Sequence, residues 1–441
     1  MLSVPRSFPI SSTDRLLSTS PPGLRKRASR KSGYCLVRPS GPGVRVTTEP
    51  PLLLPTRKSL LFASCVFFFN LTDWMLLAYL PVHLRALGFG SHAIGGFMAI
   101  LTLSTCLLVA PFGIVSDRFS PKRLMFVGVG LNMAFAGGLA LFNGAVGLIA
   151  VFIIGGVGFT CFYIPLNSLY FKLLGDEQRG VRIATIFAGT VLGYGFGPLL
   201  GGLLLTRFPM ETLFSLAFGG FALLGLLVAY LPDTRPIRFE IARYRDDLKR
   251  PAVLFLVASS FVVASHAGVE RTSLTLLMTE MVGLGSSQVG LVYACVGVWI
   301  AGIGLLAGHA FDRTRRVVVV LSLGLAWSGI FQAATAFAGS FASLLAIRLL
   351  HTLGDAFFFI LNPILMSLIF PNTRMGGHFG FILTIRMFSS GLFAYLAGAV
   401  SQPWGHGVGF ILNGAMMVAT AAAFLAMRKP IRRSLAASRV T

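Results

Sequence analysis

Long apolar runs recur along the chain after its first 57 residues, and short polar segments separate them. A run of about 20 apolar residues is long enough, as an α-helix, to cross the hydrocarbon core of a bilayer. The runs do not alternate apolar with polar residues, which disfavours a membrane β-barrel. We therefore predict an all-α integral membrane protein with about twelve transmembrane helices. The predicted spans 1 to 12 are 59–81, 93–115, 124–142, 147–173, 184–206, 211–231, 252–279, 287–309, 317–338, 341–370, 379–400 and 406–427.

One short motif occurs twice, 195 positions apart, at the end of an apolar run. The copies are Gly113-Ile-Val-Ser-Asp117-Arg118 and Gly308-His-Ala-Phe-Asp312-Arg313, and the same offset relates 88–95 to 283–290. Such self-similarity predicts a duplicated domain, and therefore two pseudo-symmetric six-helix halves. The predicted organisation is a disordered basic N-terminal tail at 1–57, a first half at 58–232, a cytoplasmic linker at 233–250, a second half at 251–428 and a basic C-terminal tail at 429–441.

The composition and the placement of charge agree with a membrane protein. Hydrophobic residues make up 55% of the chain and charged residues 12%, too little polar surface for a water-soluble globule. The net charge is +22, and the basic residues that cause it lie mostly on one side of the membrane. Only five of the 37 Lys and Arg residues lie outside the tails and alternate loops of that side, which leaves 32 within them. This positive-inside bias places both termini in the cytoplasm. We expect the lipid bilayer, and no nucleic acid, as the partner of this surface, and we expect a monomer.

Residues 1–57 are rich in Ser, Pro and Arg, and Asp14 and Glu49 are their only acidic residues. This composition cannot bury enough apolar surface to fold alone. It fits an organellar transit peptide, a plain cytoplasmic tail or an over-extended start codon. The expected location is therefore the plasma (inner) membrane, with an organellar membrane as the alternative if this segment is a transit peptide.

The sequence predicts no cofactor, no metal and no enzyme chemistry. Its five cysteines are scattered, and they form no C-x-x-C pair and no spacing typical of metal ligands. There is no nucleotide-binding loop of the G-x-x-x-x-G-K-[ST] type, no His/Asp metal cluster and no nucleophile elbow in the sequence. ATP-driven pumping and hydrolysis therefore lack the residues to perform them.

The repeated motif resembles the loop signature between spans 2 and 3 of the major facilitator superfamily, and the resemblance covers residues 58 to about 430. It implies alternating access, in which two six-helix halves rock around a central site. It also implies that these loops act as a latch that stabilises one conformation by holding span 11 against span 2. The alternative interpretation is a simple positive-inside turn. The predicted latch residues are Gly113, Asp117, Arg118, Arg123, Gly308, Asp312 and Arg313.

Span 5 contains G-x-x-x-G-P-x-x-G-G, which resembles the span 5 signature of the superfamily's drug:proton antiporters. Proline can bend a helix and glycines four apart form a smooth face, so the motif predicts a flexible helix or ordinary close packing. Span 4 departs from the antiporter pattern, because Phe152 stands where those proteins usually carry an arginine. An offset of 196 leads from Phe152 to Arg348 in span 10. The motif residues in span 5 are Gly193, Gly197, Pro198, Gly201 and Gly202.

Several ionisable residues fall inside the predicted spans. A charge near the bilayer centre costs at least about 2.5 kcal/mol, so each needs a partner or a function. Asp73 and Glu270 occupy nearly equivalent places in spans 1 and 7, which line the translocation path in the resembled family. The candidates for substrate or proton binding are Asp73, Glu270, Arg348, His351, Asp355 and Arg386, and His266 and Arg271 lie among them.

Within this set the sequence predicts different roles. Glu270 is expected close to the outer interface, and Arg348 near the outer end of span 10, where it can snorkel. Asp355 with His351 is the predicted proton pair, and a static network is the alternative. Arg386 is expected either to hold an anionic substrate or to pair with Asp355 or Asp73.

We predict a secondary active transporter that moves a small-molecule substrate, a small organic solute, and exports it in exchange for protons. An uptake symporter of the same fold is the first alternative, favoured by the missing arginine in span 4 and by the acids of spans 1 and 7. A membrane enzyme or non-transporting assembly protein is the second. The direction of proton-driven flux discriminates export from uptake.

Overall fold

A computed structural model of the protein describes residues 56–173, 179–233, 251–314, 316–370 and 375–437. Twelve helical segments within these residues are long and apolar enough to cross a membrane, as predicted. The first half contains α1 (Thr56–Leu77), α2 (Leu80–Ala86), α3 (Ser91–Arg118), α4 (Pro121–Leu141), α5 (Ala145–Leu173), α6 (Arg179–Leu204) and α7 (Met210–Ala229). The second half contains α8 (Pro251–Leu276), α9 (Ser286–Thr314), α10 (Val317–Ala334), α11 (Phe341–Ile369), α12 (Met375–Trp404) and α13 (His406–Ala426), and α14 (Arg428–Ala437) follows.

The first predicted span is built from two helices, α1 and the short α2. Pro81 stands in the first turn of α2, where a missing N–H costs nothing because that donor has no partner within the helix. The break between the helices leaves Tyr79 at the start of α2. Its hydroxyl then reaches across the bundle, as described below.

The backbone repeats at the offset found in the sequence. Gly88 and Gly283, which are 195 residues apart, both have positive φ, +89° and +75°. Each lies three residues before the start of a long helix, at Ser91 and Ser286. Glycine adopts this conformation without the Cβ clash that other residues meet. The duplication is therefore visible in the turns that lead into α3 and α9.

Aromatic packing joins the helices within each half, and the larger apolar core also includes residues of the second half such as Val269 and Phe410. In the first half the rings of Phe69 and Phe162 stack 4.5 Å apart, and Phe62 lies 5.3 Å from Tyr170. In the second half Phe255 contacts the edge of Phe424 at 4.6 Å. These rings pack the helices of one half together.

The halves meet along two helix pairs, α3 with α12 and α6 with α9. Small residues allow the close approach, because a Cβ added to Gly95 would lie 2.8 Å from the Cα of Gly398. A Cβ on Gly297 would likewise lie 2.8 Å from the Cα of Gly195. These contacts lie toward one side of the bundle, opposite the side where the described chain begins and ends. We call the side of the bundle with these contacts the distal face. It includes the connections 87–90, 205–209 and 282–285 and residue 405.

The C-terminal segment is more ordered than a plain tail. Helix α14 buries Ile431 and Leu435 against the second half, and the Ser434 hydroxyl accepts a hydrogen bond from the Ala252 backbone N–H at 3.2 Å. Its basic residues remain on the exposed side. The predicted N-terminal tail up to residue 55 and the linker from 234 to 250 lie outside the described residues.

Candidate functional site

A buried polar network occupies the interior of the second half, where three helices meet. We call it the second-half network, and its residues are His266, Glu270, Ser328, Gln332, Arg348, His351 and Asp355. Within each of the helices α8, α10 and α11, consecutive members are three or four residues apart, so each set lies on one helical face. The helical period thus puts the side chains of each set on the same side of their helix, and the three sets meet between the helices.

Arg348 and Glu270 form the first part of the second-half network. The Arg348 Nη2 donates to Glu270 Oε1 at 2.5 Å, and its Nη1 donates to Gln332 Oε1 at 3.2 Å. The Arg348 residue is 2% exposed, so it does not snorkel to an interface as the sequence suggested. Glu270 is only partly buried, but its charge is neutralised inside the protein rather than solvated at the outer interface. The expected snorkelling of Arg348 was wrong, and Glu270 is paired with it, because the sequence does not show that the two helices face each other.

His351 and Asp355 form the second part. Asp355 Oδ1 accepts a hydrogen bond from Ser328 Oγ at 2.6 Å, and its Oδ2 lies 3.1 Å from His351 Nε2 and 3.3 Å from His266 Nε2. The His351 Nδ1 lies 2.9 Å from the Ser328 carbonyl oxygen, to which it can donate. Both ring nitrogens of His351 therefore face oxygen atoms. The His351 Nε2 contact has an ion-pair distance but not the direction of a hydrogen bond.

Two further contacts tie the parts together. His351 Nε2 lies 3.2 Å from Glu270 Oε1, so the imidazole bridges the two carboxylates. The rings of His266 and His351 are nearly perpendicular, 5.3 Å apart, and the buried His266 Nδ1 has no hydrogen-bond partner among the described residues. A change of charge on any one of these groups therefore changes the electrostatic energy of the others.

The same residue types can also bind a metal. His266, His351 and Asp355 place one potential ligand atom each within 4.8 Å of one another. The Arg348 guanidinium, however, already neutralises Glu270, which is the fourth group that a divalent cation would need there. We conclude that the second-half network suits protons better than a metal. The sequence prediction of no metal stays a prediction.

Asp73 lies on the other side of the centre, in α1. It is 6% exposed, and Arg271 of α8 is the cation whose charge acts on it. Arg271 Nη1 donates to Thr102 Oγ1 of α3 at 2.9 Å, and its guanidinium lies 5.8 Å from the centre of the Trp74 ring. Arg271 thus reaches from the second half into the first. The equivalent acids of the two halves, Asp73 and Glu270, each face an arginine.

Three aromatic residues separate these two charged regions, and sequence reasoning missed them. The Trp74 ring lies 4.5 Å from that of Tyr194, and Tyr194 lies 5.8 Å from Tyr293. The Tyr293 hydroxyl is 3.3 Å from Thr275 Oγ1. Trp74 is adjacent to Asp73, and Tyr194 lies inside the glycine motif of span 5, so both stood beside residues that the sequence had singled out. An apolar side chain with a polar tip inside a span is the signal that could have found them.

Arg386 lies in α12 and contacts none of these groups. Its guanidinium is 5.8 Å from the centre of the Phe359 ring, and its buried Nε has no hydrogen-bond partner among the described residues. Within the described part of the chain it forms no ion pair, and the pairing with Asp355 or Asp73 that the sequence offered is not formed. It lines a small cavity of about 50 Å³ with Phe358, Asn362 and apolar side chains.

Phe152 is a core residue of the first half. It is fully buried in α5 and lies 5.4 Å from Phe97 and 5.9 Å from Phe135. The place where the resembled antiporters usually carry an arginine is therefore filled by aromatic packing. The corresponding residue of the second half, Arg348, is buried as well, but in the second-half network.

The glycine motif of α6 has two packed sides. A Cβ on Gly193 would lie 2.7 Å from Asn70 Cβ, and one on Gly197 would lie 2.9 Å from the Met75 nitrogen, so this side packs on α1. Gly202 lies against Ser286 of α9 and against Tyr79. The Pro198 carbonyl accepts a hydrogen bond from the Tyr79 hydroxyl at 2.8 Å. Close packing on both sides is observed, and the flexibility of this helix stays a prediction.

The predicted latch is only partly described. The side chains of Gly113, Asp117, Arg118, Gly308, Asp312 and Arg313 lie outside the described residues, although their backbone belongs to the ends of α3 and α9. Arg123 is exposed on α4. Its neighbour Lys122 donates to the carbonyls of Ala229, at 2.5 Å, and Leu231, at 3.0 Å, at the end of α7. This lysine therefore binds a helix C-terminus, where a cation is favourable.

An ion pair joins the halves at the distal face. Arg85, in α2, lies 2.9 Å from Glu280, which belongs to a π-helical turn at Leu277–Met281. His406 Nε2 lies 3.1 Å from the other carboxylate oxygen of Glu280, and Arg85 also donates to Ser91 Oγ at 2.7 Å. Neither Arg85 nor Glu280 was singled out as a site residue from the sequence.

Comparison with known proteins gives a consistent result. The sequence model of the Major Facilitator Superfamily matches residues 62–269 and 256–440. The multi-drug resistance efflux pump PmrA of Streptococcus pneumoniae is 28% identical over 206 residues, 44% of this chain and 51% of that protein. The chain thus matches about half the length of this relative.

Solved structures share the fold. A POT family transporter in complex with a thioalcohol-conjugated peptide has a TM-score of 0.73 at 11% identity, over 86% of this chain and 98% of that one. The nucleoside transporter NupG has a TM-score of 0.70 at 15% identity, over 84% and 99%. At these identities the likeness shows the fold alone.

Proposed function

Because the chain belongs to the Major Facilitator Superfamily, we propose that it is a secondary active transporter that moves a small organic solute by alternating access and couples this movement to protons. The observation that carries the coupling is the second-half network, in which two carboxylates, two imidazoles and a guanidinium lie within contact distance. Carboxylates and imidazoles exchange protons near neutral pH when their surroundings change.

Asp355 is the group that we assign to the transported proton. While it is ionised, its Oδ2 holds the Nε2 atoms of His266 on α8 and His351 on α11. A proton on Asp355 removes the charge that attracts both imidazoles, so the contact between the two helices weakens. A protonation event is thereby turned into a change of helix packing, which is what coupling requires.

Glu270 and Arg348 have a different role in this proposal. Their contact at 2.5 Å holds a charge-balanced pair beside His351. The charge of the bridging imidazole therefore depends on the protonation of both carboxylates. Removing one partner of such a buried pair leaves an uncompensated charge, which is strongly unfavourable. Arg348 and Glu270 therefore act as positioning residues that keep His351 between the carboxylates.

Alternating access needs a face that closes and opens. Arg85 and Glu280, the Tyr79 hydroxyl and the glycine contacts of α3 with α12 all join the two halves at the distal face. The positive-inside bias places the distal face on the outer side of the membrane. We propose that these contacts shut the polar groups at the centre off from that side.

Export is the direction that we propose. The similarity to the efflux pump PmrA favours it, as does the glycine motif of α6. The uptake symporter remains the rival, because Phe152 replaces the arginine of the antiporter pattern and the acids of the network lie in the second half alone. Both directions use Asp355, so the test below separates them by the sign of the flux.

The test uses the full chain in proteoliposomes with an imposed pH gradient. Ethidium and 1-naphthoate serve as cationic and anionic probes, and their flux is followed by fluorescence in both gradient directions. We expect a probe to move against the proton flow, and expect Asp355→Asn to lose the response to the gradient while folding normally. Glu211→Gln is the matched control, because Glu211 is an exposed carboxylate in the first turn of α7.

Three results would contradict the proposal in distinct ways. Probe movement with the proton flow would make the protein a symporter. A full gradient response in Asp355→Asn would remove this residue from the coupling step. Probe flux that is insensitive to pH in the unmodified protein would exclude proton coupling altogether.

A further inference from the structure

We infer that Arg386 binds the negative group of the transported solute, and that the solute is an organic anion whose apolar body packs against the aromatic side chains beside this arginine. The inference rests on the proposed transport function and specifies its substrate class. It is carried by an imbalance of charge inside the described spans, together with a cavity and an unsatisfied donor at the same residue.

The charge imbalance appears when each buried ionic group is matched with its partner. Glu270 faces Arg348, and Asp355 faces His266 and His351. Asp73 interacts with Arg271. Each of these three acids thus has a cation beside it, whereas Arg386 has no acid beside it among the described residues.

Arg386 lacks a carboxylate among the described residues, and its surroundings do not replace one. An aromatic face can attract a guanidinium, as Phe359 does at 5.8 Å, but it accepts no conventional hydrogen bond. The Nε of Arg386 is buried and has no acceptor within the described part of the protein. A guanidinium carries five N–H donors in a fixed fork that matches a carboxylate or a phosphate. The missing partner is therefore an anion.

The lining of the small space beside Arg386 also has the chemistry that this class of ligand needs. A cavity of about 50 Å³ lies between α11 and α12, and its wall is apolar apart from Arg386 and Asn362. Asn362 uses one amide N–H to bind Ser260 Oγ at 2.9 Å, and its second N–H is available to an anion. A ligand with one charged end and an apolar body satisfies both kinds of surface. The apolar side chains are Phe358, Phe359, Met366, Ile382 and Leu383.

The site belongs to the interface between the halves. Tyr163 of α5, in the first half, is the titratable neighbour of Arg386 from the opposite half. The Tyr163 ring stacks on Phe159 at 5.1 Å, so an aromatic surface faces Arg386 from the opposite half. A solute held by Arg386 would contact both bodies that move in alternating access, as a transported substrate must.

The experiment measures binding without any gradient, so that it is independent of proton coupling. Benzoate and 1-naphthoate are each compared with the neutral amide of the same ring system, on the full chain in phosphatidylcholine nanodiscs. We expect each anion to bind at least about tenfold more tightly than its amide, and Arg386→Gln to remove this difference. Arg386→Lys should restore part of it, because the charge returns without the fork. Arg207→Gln, at an exposed arginine, should behave as the unmodified protein.

The possible failures are separable. Equal binding of anion and amide, or an anion preference that survives in a well-folded Arg386→Gln variant, would overturn the inference. Repeating the measurement with phosphatidylglycerol tests a lipid headgroup, and an Arg386-dependent effect of that lipid without any effect of the anions would overturn it too. Anion binding without flux under any gradient would instead refute the proposed transport and leave the site intact.

Discussion

Arg85 Nε lies 2.9 Å from Glu280 Oε1, and this contact fastens the first half to the second at the distal face. His406, which begins α13, reaches the same carboxylate. An ion pair that forms only when the halves meet stabilises the conformation in which they meet. The strength of this contact should therefore set how often the distal face opens.

Replacing Arg85 by glutamine should shift the conformational equilibrium toward an open distal face. Both side chains are about one-third exposed, at 34% and 40%, so the pair contributes at most about 1 kcal/mol, or about fivefold in population. Distances between spin labels on residues 206 and 404, which are exposed near the distal face in the first and the second half, would report the change. Arg207→Gln is the control, and an unchanged distance distribution in Arg85→Gln would show that the pair does not hold the face closed.

Substitution of Gly95 by valine should prevent the distal face from closing fully. A Cβ there would lie 2.8 Å from the Gly398 Cα, closer than real Cβ atoms approach. Gly96→Val is the matched control, because a Cβ on Gly96 has no atom within 4 Å. We expect the first variant to lose probe flux and the second to keep it. Equal flux in the two variants would mean that α3 and α12 do not need this contact.

Loss of Arg348 should destabilise the second half strongly. Arg348→Gln leaves Glu270 without its cation, and breaking a buried pair in this way costs about 3–5 kcal/mol. The double variant with Glu270→Gln removes both charges and should recover much of the loss. Thermal unfolding in one detergent compares the stability of the unmodified protein, the single variant and the double variant. A double variant as unstable as the single one would show that the loss of stability comes from poor packing of the glutamine amide and not from the uncompensated charge of Glu270.

The Tyr79 hydroxyl should contribute to the closed conformation through its position between two carbonyls. It lies 2.8 Å from the Pro198 oxygen and 3.0 Å from the Ser286 oxygen, so it links α2 to α6 and to α9 of the other half. Tyr79→Phe should cost about 1 kcal/mol in unfolding free energy. Tyr230→Phe, at an exposed tyrosine, should cost nothing measurable. Equal losses in the two would contradict a specific role.

Much of the fold could be predicted from the sequence, because span length and repetition are local properties. The turns at Gly88 and Gly283, with helices that begin at Ser91 and Ser286, follow the sequence offset in the backbone. The break within span 1 was missed. Hydropathy continues across Tyr79, and only the rarity of proline inside a helix, at Pro81, signals the second helix.

The sequence could single out the ionisable residues inside the spans, but not the pairs that they form. Arg348, His351 and Asp355 are spaced i, i+3 and i+7, which puts them on one face of a helix, and in α11 they lie on one face. This spacing could not show that Glu270 faces Arg348, since that contact depends on how α8 and α11 pack. The same limit applies to Tyr293 and Ser328, whose polar tips matter only because other helices bring partners to them.

The unpaired charge of Arg386 has a consequence for the membrane potential. A carrier that reorients with this arginine empty moves a positive charge through part of the field, whereas one loaded with a monovalent anion moves none there. One elementary charge across the full field corresponds to about 2.3 kcal/mol per 100 mV. An inside-negative voltage would then act on the return of the empty carrier and draw its vacant site toward the cytoplasm, where an exporter collects its cargo.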